Sequence, residues 1–124
     1  MSAIALVAIV DDDEAILSGL SSLTRSAGYQ VRLYHSAEEF LADKQLPEPA
    51  CVLTDVQMPG MNGLELQQAL RKTHPALPII FMTAFPADMI RHKALQAGAH
   101  CFLHKPFDAD TILRALGEAM QRQK

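Results

Sequence analysis

The sequence predicts an α/β fold: a doubly wound five-stranded parallel sheet with helices on both faces. Three observations predict it. Short apolar runs of strand length recur at 4–10, 50–54, 79–82 and 100–103. Between them, apolar residues return at helical spacing. The first run, "IALVAIV", is apolar at every position, as a strand buried on both faces must be. Strands that alternate with helices imply parallel pairing through right-handed crossovers. In such sheets ligands bind beyond the carboxyl ends of the strands, where the strand order reverses.

Each element has its own local signal. After 4–10, the stripe Ile16, Leu20, Leu23 and Ala27 marks a helix that begins near Glu14 and stops at Gly28, a glycine suited to the turn that ends it. "YQVRLYH" (29–35) alternates around Val31 and Leu33, as a strand does. "SAEE" (36–39) reads as a capping box, Ser36 with Glu39, opening a short helix through Phe40 and Leu41. "QLPEP" is a loop feeding the strand "ACVLT" (50–54). In the loop "MPGMNG" (58–63), Met58 and Pro59 pack, Asn62 caps a helix carrying Leu66, Ala69 and Leu70, and Gly63 lets that helix start close to the loop. "IIFM" (79–82) is followed by a turn and a helix ending near Gly98. "HCFL" (100–103) is the last strand, and Asp108 caps a final helix through Leu113, Leu116 and Met120.

Composition narrows the function classes. The 124 residues suffice for one domain with a proper core. A net charge of −3 without a Lys/Arg cluster argues against a nucleic-acid surface. No apolar run approaches a membrane span, and no basic region precedes the first one as in a signal peptide. Two cysteines fit a reducing cytoplasm better than a disulfide framework. The five histidines (35, 74, 92, 100 and 104) are spread over different elements and read as surface or strand-end residues.

The strand ends carry the chemistry. Asp11, Asp12, Asp55, Thr83 and Lys105 each lie within two residues of a strand's end, on one edge of the sheet. Three carboxylates converging there repel unless a cation neutralises them. Without a compact His/Cys set, the fitting ion is a hard one with oxygen ligands, Mg²⁺ or Mn²⁺. Lys105 adds a point charge for a phosphate or carboxylate oxygen, and Thr83 a hydroxyl. The group suits a phosphoryl held on a carboxylate. Asp13 and Glu14 read instead as first-turn helix charges favoured by the dipole.

"VAIVDDDEAI", "VLTDVQMPGMNGLEL", "IIFMTA" and "AGAHCFLHKPF" together resemble the receiver domain of two-component response regulators, in the right order and spacing over essentially the whole chain, 1–124. The resemblance implies a flavodoxin-like sheet of order 2-1-3-4-5. It implies that Asp55 takes a phosphoryl group from the phosphohistidine of a sensor histidine kinase or a histidine phosphotransfer protein. Asp12, Asp55 and the Gln57 carbonyl would ligate the metal directly, with Asp11 acting mostly through water. Lys105 would bind a phosphoryl oxygen, and the Lys105–Pro106 bond is expected to be cis. Thr83 and Phe102 would form the readout couple, acting on the α4-β5-α5 face that meets an output partner or a second copy. Where many relatives carry Tyr, Phe102 lacks the hydroxyl, so outputs that need its hydrogen bond are not expected.

The resemblance also places Ile16 beside the acidic pocket, where it contacts the kinase's helices. With Leu17 it would form an apolar patch, Pro106 and Phe107 making the opposite rim. Gln57 and Phe85 would flank the approach of the hydrolytic water, and Phe85 is expected to shield the phosphoryl group. Cys51 and Cys101, on strands separated by a third, would sit about 10 Å apart, beyond disulfide reach. A stand-alone receiver, or the receiver of a longer DNA-binding or enzymatic regulator, fits equally. A haloacid-dehalogenase-type phosphatase would use Asp11 and Asp13, but Glu14 and Ala15 depart from its motif and Asp55 would have no role. A dinucleotide fold lacks its Gly-rich turn. A degenerate receiver, used only for protein contacts, would have lost acidic, Thr or Lys positions that are all present here.

Overall fold

Five strands and five helices alternate: β1 (Leu6–Val10), α1 (Glu14–Ser26), β2 (Gln30–Tyr34), α2 (Ala37–Ala42), β3 (Cys51–Asp55), α3 (Gly63–Thr73), β4 (Ile79–Thr83), α4 (Asp88–Gln96), β5 (Cys101–His104) and α5 (Ala109–Arg122). This computed structural model describes residues 5–43, 49–84, 88–105 and 108–122. All pairings are parallel, in the order β2-β1-β3-β4-β5.

Alternation along the strands divides the core in two. Ala8, Val10, Val52, Ile79 and Phe81 face one side and pack with Ala37, Phe40, Leu66, Leu70 and Ala94 of α2, α3 and α4. Val7, Ile9, Leu53, Ile80 and Met82 face the other and pack with Leu17, Leu20, Ile112 and Leu116 of α1 and α5. The three inner strands are buried throughout. The edge strands are not: of the pair Val31 and Leu33 expected to alternate inward on β2, Val31 packs against the α1/α5 core and Leu33 is exposed, while Tyr34 is buried on the opposite face.

The helix stripes shift slightly from the predicted ones. In α1 the buried line is Leu17, Leu20, Ser21 and Thr24, with Ile16 and Leu23 on its flank and Ala27 at the exposed end. In α5 it is Ile112, Ala115, Leu116 and Ala119, flanked by Leu113 and Met120. Small or polar residues such as Ser21, Thr24 and Ala119 lie on these buried lines beside the large apolar ones, and a side-chain hydrophobicity pattern does not register them. Strand β5 starts one residue late, at Cys101. Gly28 and Gly98 follow their helices with φ of +98° and +97°, the left-handed turn that favours glycine.

Ser36 accepts the Glu39 N–H, but the Glu39 carboxylate takes the N–H of His35 rather than of Ser36, so the box expected there is displaced by one residue. The full reciprocal box is at Asn62 and Glu65, opening α3.

Helix α3 is tied to the end of α4 by two polar side chains. Buried Gln67 donates from Nε2 to the Ala94 carbonyl (3.0 Å). Arg71 donates to the carbonyls of Ala97 (3.1 Å), Gly98 (2.9 Å) and Leu77 (3.0 Å). A guanidinium reaches all three because its donors are forked, which an ammonium cannot do. Both Arg71→Ala and Arg71→Lys should therefore lower unfolding stability by about 1.5 kcal/mol. The check is a lower urea midpoint at unchanged slope. A lysine variant as stable as wild type would refute the fork.

Candidate phosphoacceptor site

Register brings the chemical residues to one edge. Val10 pairs with Thr54, Asp55 with Met82, and Thr83 with His104, so the ends of β1, β3, β4 and β5 lie together. Directly after β1, Asp11 is wholly buried, held by its N–H on the Tyr34 carbonyl (3.1 Å). Its Oδ1 accepts the Asp13 N–H at 2.9 Å. Asp13 is the N-cap of α1, accepting from Ala15 and Ile16, a more specific role than the predicted dipole charge. Glu14 pairs with the His35 ring, and that hydrogen bond raises the His35 pKa against a smaller opposing effect of desolvation.

Asp55 ends β3, its Oδ1 accepting the Gln57 N–H at 3.3 Å. Carboxylate oxygens of Asp11, Asp12 and Asp55 all lie within 4.8 Å of one another, with Asp12 exposed and the other two buried. Into this group projects Lys105, whose Nζ is 2.9 Å from Asp11 Oδ2 and 3.5 Å from Asp55 Oδ2. Gly63 makes the close packing beneath feasible: a Cβ there would stand 2.4 Å from the Asp55 carbonyl oxygen.

The electrostatics are unbalanced. Burial, then the Asp11 charge, raises the Asp55 pKa against the opposing pull of Lys105 and the Gln57 N–H. Burial works to lower the Lys105 pKa, but its hydrogen bond to Asp11 and both carboxylate charges outweigh it, leaving it raised. One ammonium among three carboxylates leaves a deficit of two positive charges. A hard divalent cation such as Mg²⁺ or Mn²⁺ fits that deficit and that all-oxygen donor set.

Thr83 is buried at the end of β4. Phe102, half-buried on β5, pairs with Phe81 of β4, their ring centroids 6.1 Å apart, and packs against the α3/α4 side of the core. By alternation Thr83 is on that same face of the sheet. Ile16 is half-buried, while Leu17 is fully buried under α1. The expected patch of two exposed aliphatics is thus reduced to Ile16, because residues about 100° apart on a helix cannot share one face. Phe85, Pro106 and Phe107 lie outside the described residues, and with them the Lys105–Pro106 bond and the shielding expected of Phe85. Cys51 and Cys101 are free thiols, as expected.

A sequence model of the response regulator receiver domain matches residues 7–117. The chain belongs to that family. The receiver is 39% identical over 116 residues to the response regulator protein TodT of Pseudomonas putida, covering 94% of this chain and 51% of TodT. It is 40% identical, again over 116 residues, to TmoT of Ectopseudomonas mendocina, covering 94% and 53% of the two chains. The receiver thus spans about half the length of these curated relatives. A solved CheY-like receiver domain protein from Methanospirillum hungatei superposes with a TM-score of 0.91 at 29% identity, covering 98% of this chain and 97% of the other. Among the described residues no helix is long and apolar enough to cross a membrane.

Proposed function

We propose that this receiver, taken as one domain over 1–124, carries a phosphoryl group on Asp55 and passes its presence to the α4-β5-α5 face. The observation that carries the reading is the joint placement of Lys105 on Asp11 and Asp55 within a carboxylate cluster short of positive charge. Asp12, Asp55 and the Gln57 carbonyl are the proposed metal ligands, with Asp11 acting through water. When bound, Mg²⁺ would supply neutralising charge to the phosphoryl oxygens.

The residues of the chain do the rest. An oxygen of ionised Asp55 attacks phosphorus in line, the phosphorus–nitrogen bond of a donor phosphohistidine breaks, and the imidazole leaves with the electron pair. Little else is asked of the protein than alignment and charge. Lys105 turns from the carboxylates toward a phosphoryl oxygen, and the Thr83 hydroxyl donates to another. Thr83 drawn inward leaves space into which the Phe102 ring repacks, altering the face of α4, β5 and α5. Exposed Met89 and half-exposed Leu95 on α4 give that face apolar contacts for an output partner or a second copy. Water in line with the new bond removes the group as inorganic phosphate, with Gln57 beside its path. A histidine kinase or phosphotransfer protein in the cytoplasm is the proposed donor.

Acetyl phosphate with Mg²⁺ tests this directly. One phosphoryl group should appear at Asp55 by mass spectrometry and be prevented by EDTA. Label at another residue, or full label in EDTA, would overturn the reading. Ile16, half-exposed at the rim, is the proposed donor contact. Ile16→Glu should slow transfer from a phosphorylated kinase roughly tenfold, the cost of imperfect docking geometry, while acetyl phosphate labelling is unchanged. Equal loss with both donors would argue against docking.

A further inference from the structure

The loop between β3 and α3 carries Gln57, and its two ends are held differently. At the near end Gln57 donates to Asp55, and the Gly63 N–H, at the start of α3, donates back to the Val56 carbonyl at 2.8 Å and closes the base of the loop. Met58 is buried in the core and holds the middle. At the far end the Met61 N–H donates to a side chain 23 residues upstream: Glu38 Oε2 on α2, at 2.9 Å. Gly60 makes room for that carboxylate. Its φ is +78°, and a Cβ there would meet Glu38 Oε2 at 2.5 Å. Helix α2 in turn is fixed by the Ser36 cap and by buried Ala37 and Phe40. Glu38 is therefore a strut from a seated helix to the loop.

We propose that Glu38 is a positioning residue for the metal-dependent phosphoacceptor site, fixing the loop that presents the Gln57 carbonyl. This rests on the reading of Asp55 and its cluster given above. Glu38 itself touches no reacting atom. It removes freedom from a loop whose one backbone oxygen has to stand at a fixed place, the way outer hydrogen-bond partners orient ligands in metal sites. A neutral acceptor serves this purpose as well as a charged one, because the contact is a hydrogen bond to a backbone N–H. The site, by contrast, is governed by charge. That difference separates positioning from a general electrostatic effect.

The test is calorimetric titration of Mg²⁺ into wild type, Glu38→Gln and Glu38→Ala, with amide NMR shifts of Gln57 and Met61 followed alongside. Glu38→Ala should weaken Mg²⁺ binding about tenfold, the lower end for loss of an outer partner, and move both amide signals. Glu38→Gln, which keeps an oxygen acceptor, should bind within about twofold of wild type. At saturating Mg²⁺ the acetyl phosphate labelling rate of Glu38→Ala should return to the wild-type value, showing lost affinity and intact chemistry. Unchanged Mg²⁺ affinity in Glu38→Ala, or a Gln variant as weak as the Ala variant, would overturn the proposal while leaving the phosphoacceptor reading intact. A wild type that binds no Mg²⁺ and takes no label would overturn both.

Discussion

Asp55→Asn is expected to abolish labelling by acetyl phosphate, whereas Asp13→Asn should be labelled to the wild-type extent. The amide has no nucleophilic oxygen anion, and Asp11, the other buried carboxylate of the cluster, is held closer to Lys105 (2.9 Å against 3.5 Å) and is fully buried where Asp55 is not. Asp11 is already engaged by the Asp13 N–H and by Lys105, and Asp13 caps α1. The same substitution should also stabilise the metal-free protein. Folding raises the Asp55 pKa above its unfolded value, chiefly through burial and then the Asp11 charge, so the folded state holds the proton more tightly. Its ionisation therefore costs stability. The cost is absent below the unfolded pKa, near 3.9, grows as pH rises through the folded value, and remains in full above it. Asparagine removes it at neutral pH. In EDTA at pH 7 the variant should melt above wild type, and Mg²⁺ should raise its melting temperature far less than that of wild type. A variant that melts lower in EDTA would contradict the uncompensated charge inferred for the cluster.

Gly63→Ala should be the most destabilising single-methyl change in the molecule. The added carbon would stand 2.4 Å from the Asp55 carbonyl oxygen, 3.0 Å from the Val56 Cα and 3.1 Å from the Phe81 ring. Two of these neighbours are backbone, and the third is a fully buried ring. None yields as a flexible side-chain end would, so α3 must retreat from β3. Overpacking of this kind costs about 3 kcal/mol, or roughly 10 °C in melting temperature for a domain of this size. Its retreat would also displace the Asp55 carbonyl, so labelling should fall even at temperatures where the variant is folded. Gly19 is the control: a Cβ there has nothing within 4 Å, and Gly19→Ala should not destabilise. Equal melting of the two variants would mean that α3 does not sit against β3 as described.

The sequence showed the order of elements and the residues at the strand ends, because both depend on local patterns. A buried central strand such as 4–10 has to be apolar throughout, and strand-end acids stand out beside it. It did not show which side of α1 faces the sheet. Ile16 and Leu17 are equally apolar, and the choice falls to Leu17 through the direction in which α1 crosses the sheet. Glu38 and Arg71 carried no signal at all. Each works by meeting backbone groups of a distant segment, the Met61 N–H in one case and the carbonyls of Leu77, Ala97 and Gly98 in the other. Backbone groups have no side-chain identity to read. Gly63 and Gly60 do announce close approach in principle, but not what approaches them.

The bonds from Gln67 to Ala94 and from Arg71 to Ala97 and Gly98 meet α4 in or just past its last turn, and this makes the helix mechanically a lever with its fulcrum at one end. Its nine residues give an arm of about 13 Å. A tilt of about 10° about that fulcrum would leave Ala94 nearly in place and carry the Asp88 end through about 2 Å, by the geometry of that arm. Thr83, at the end of β4, lies five residues before Asp88, so the Asp88 end, the tip of the arm, is the end of α4 nearest in sequence to the acidic edge. Met89, the most exposed large apolar side chain on α4, rides near the same tip. A tilt about this fulcrum would thus displace Met89, near the tip, far more than Ala94, near the pivot.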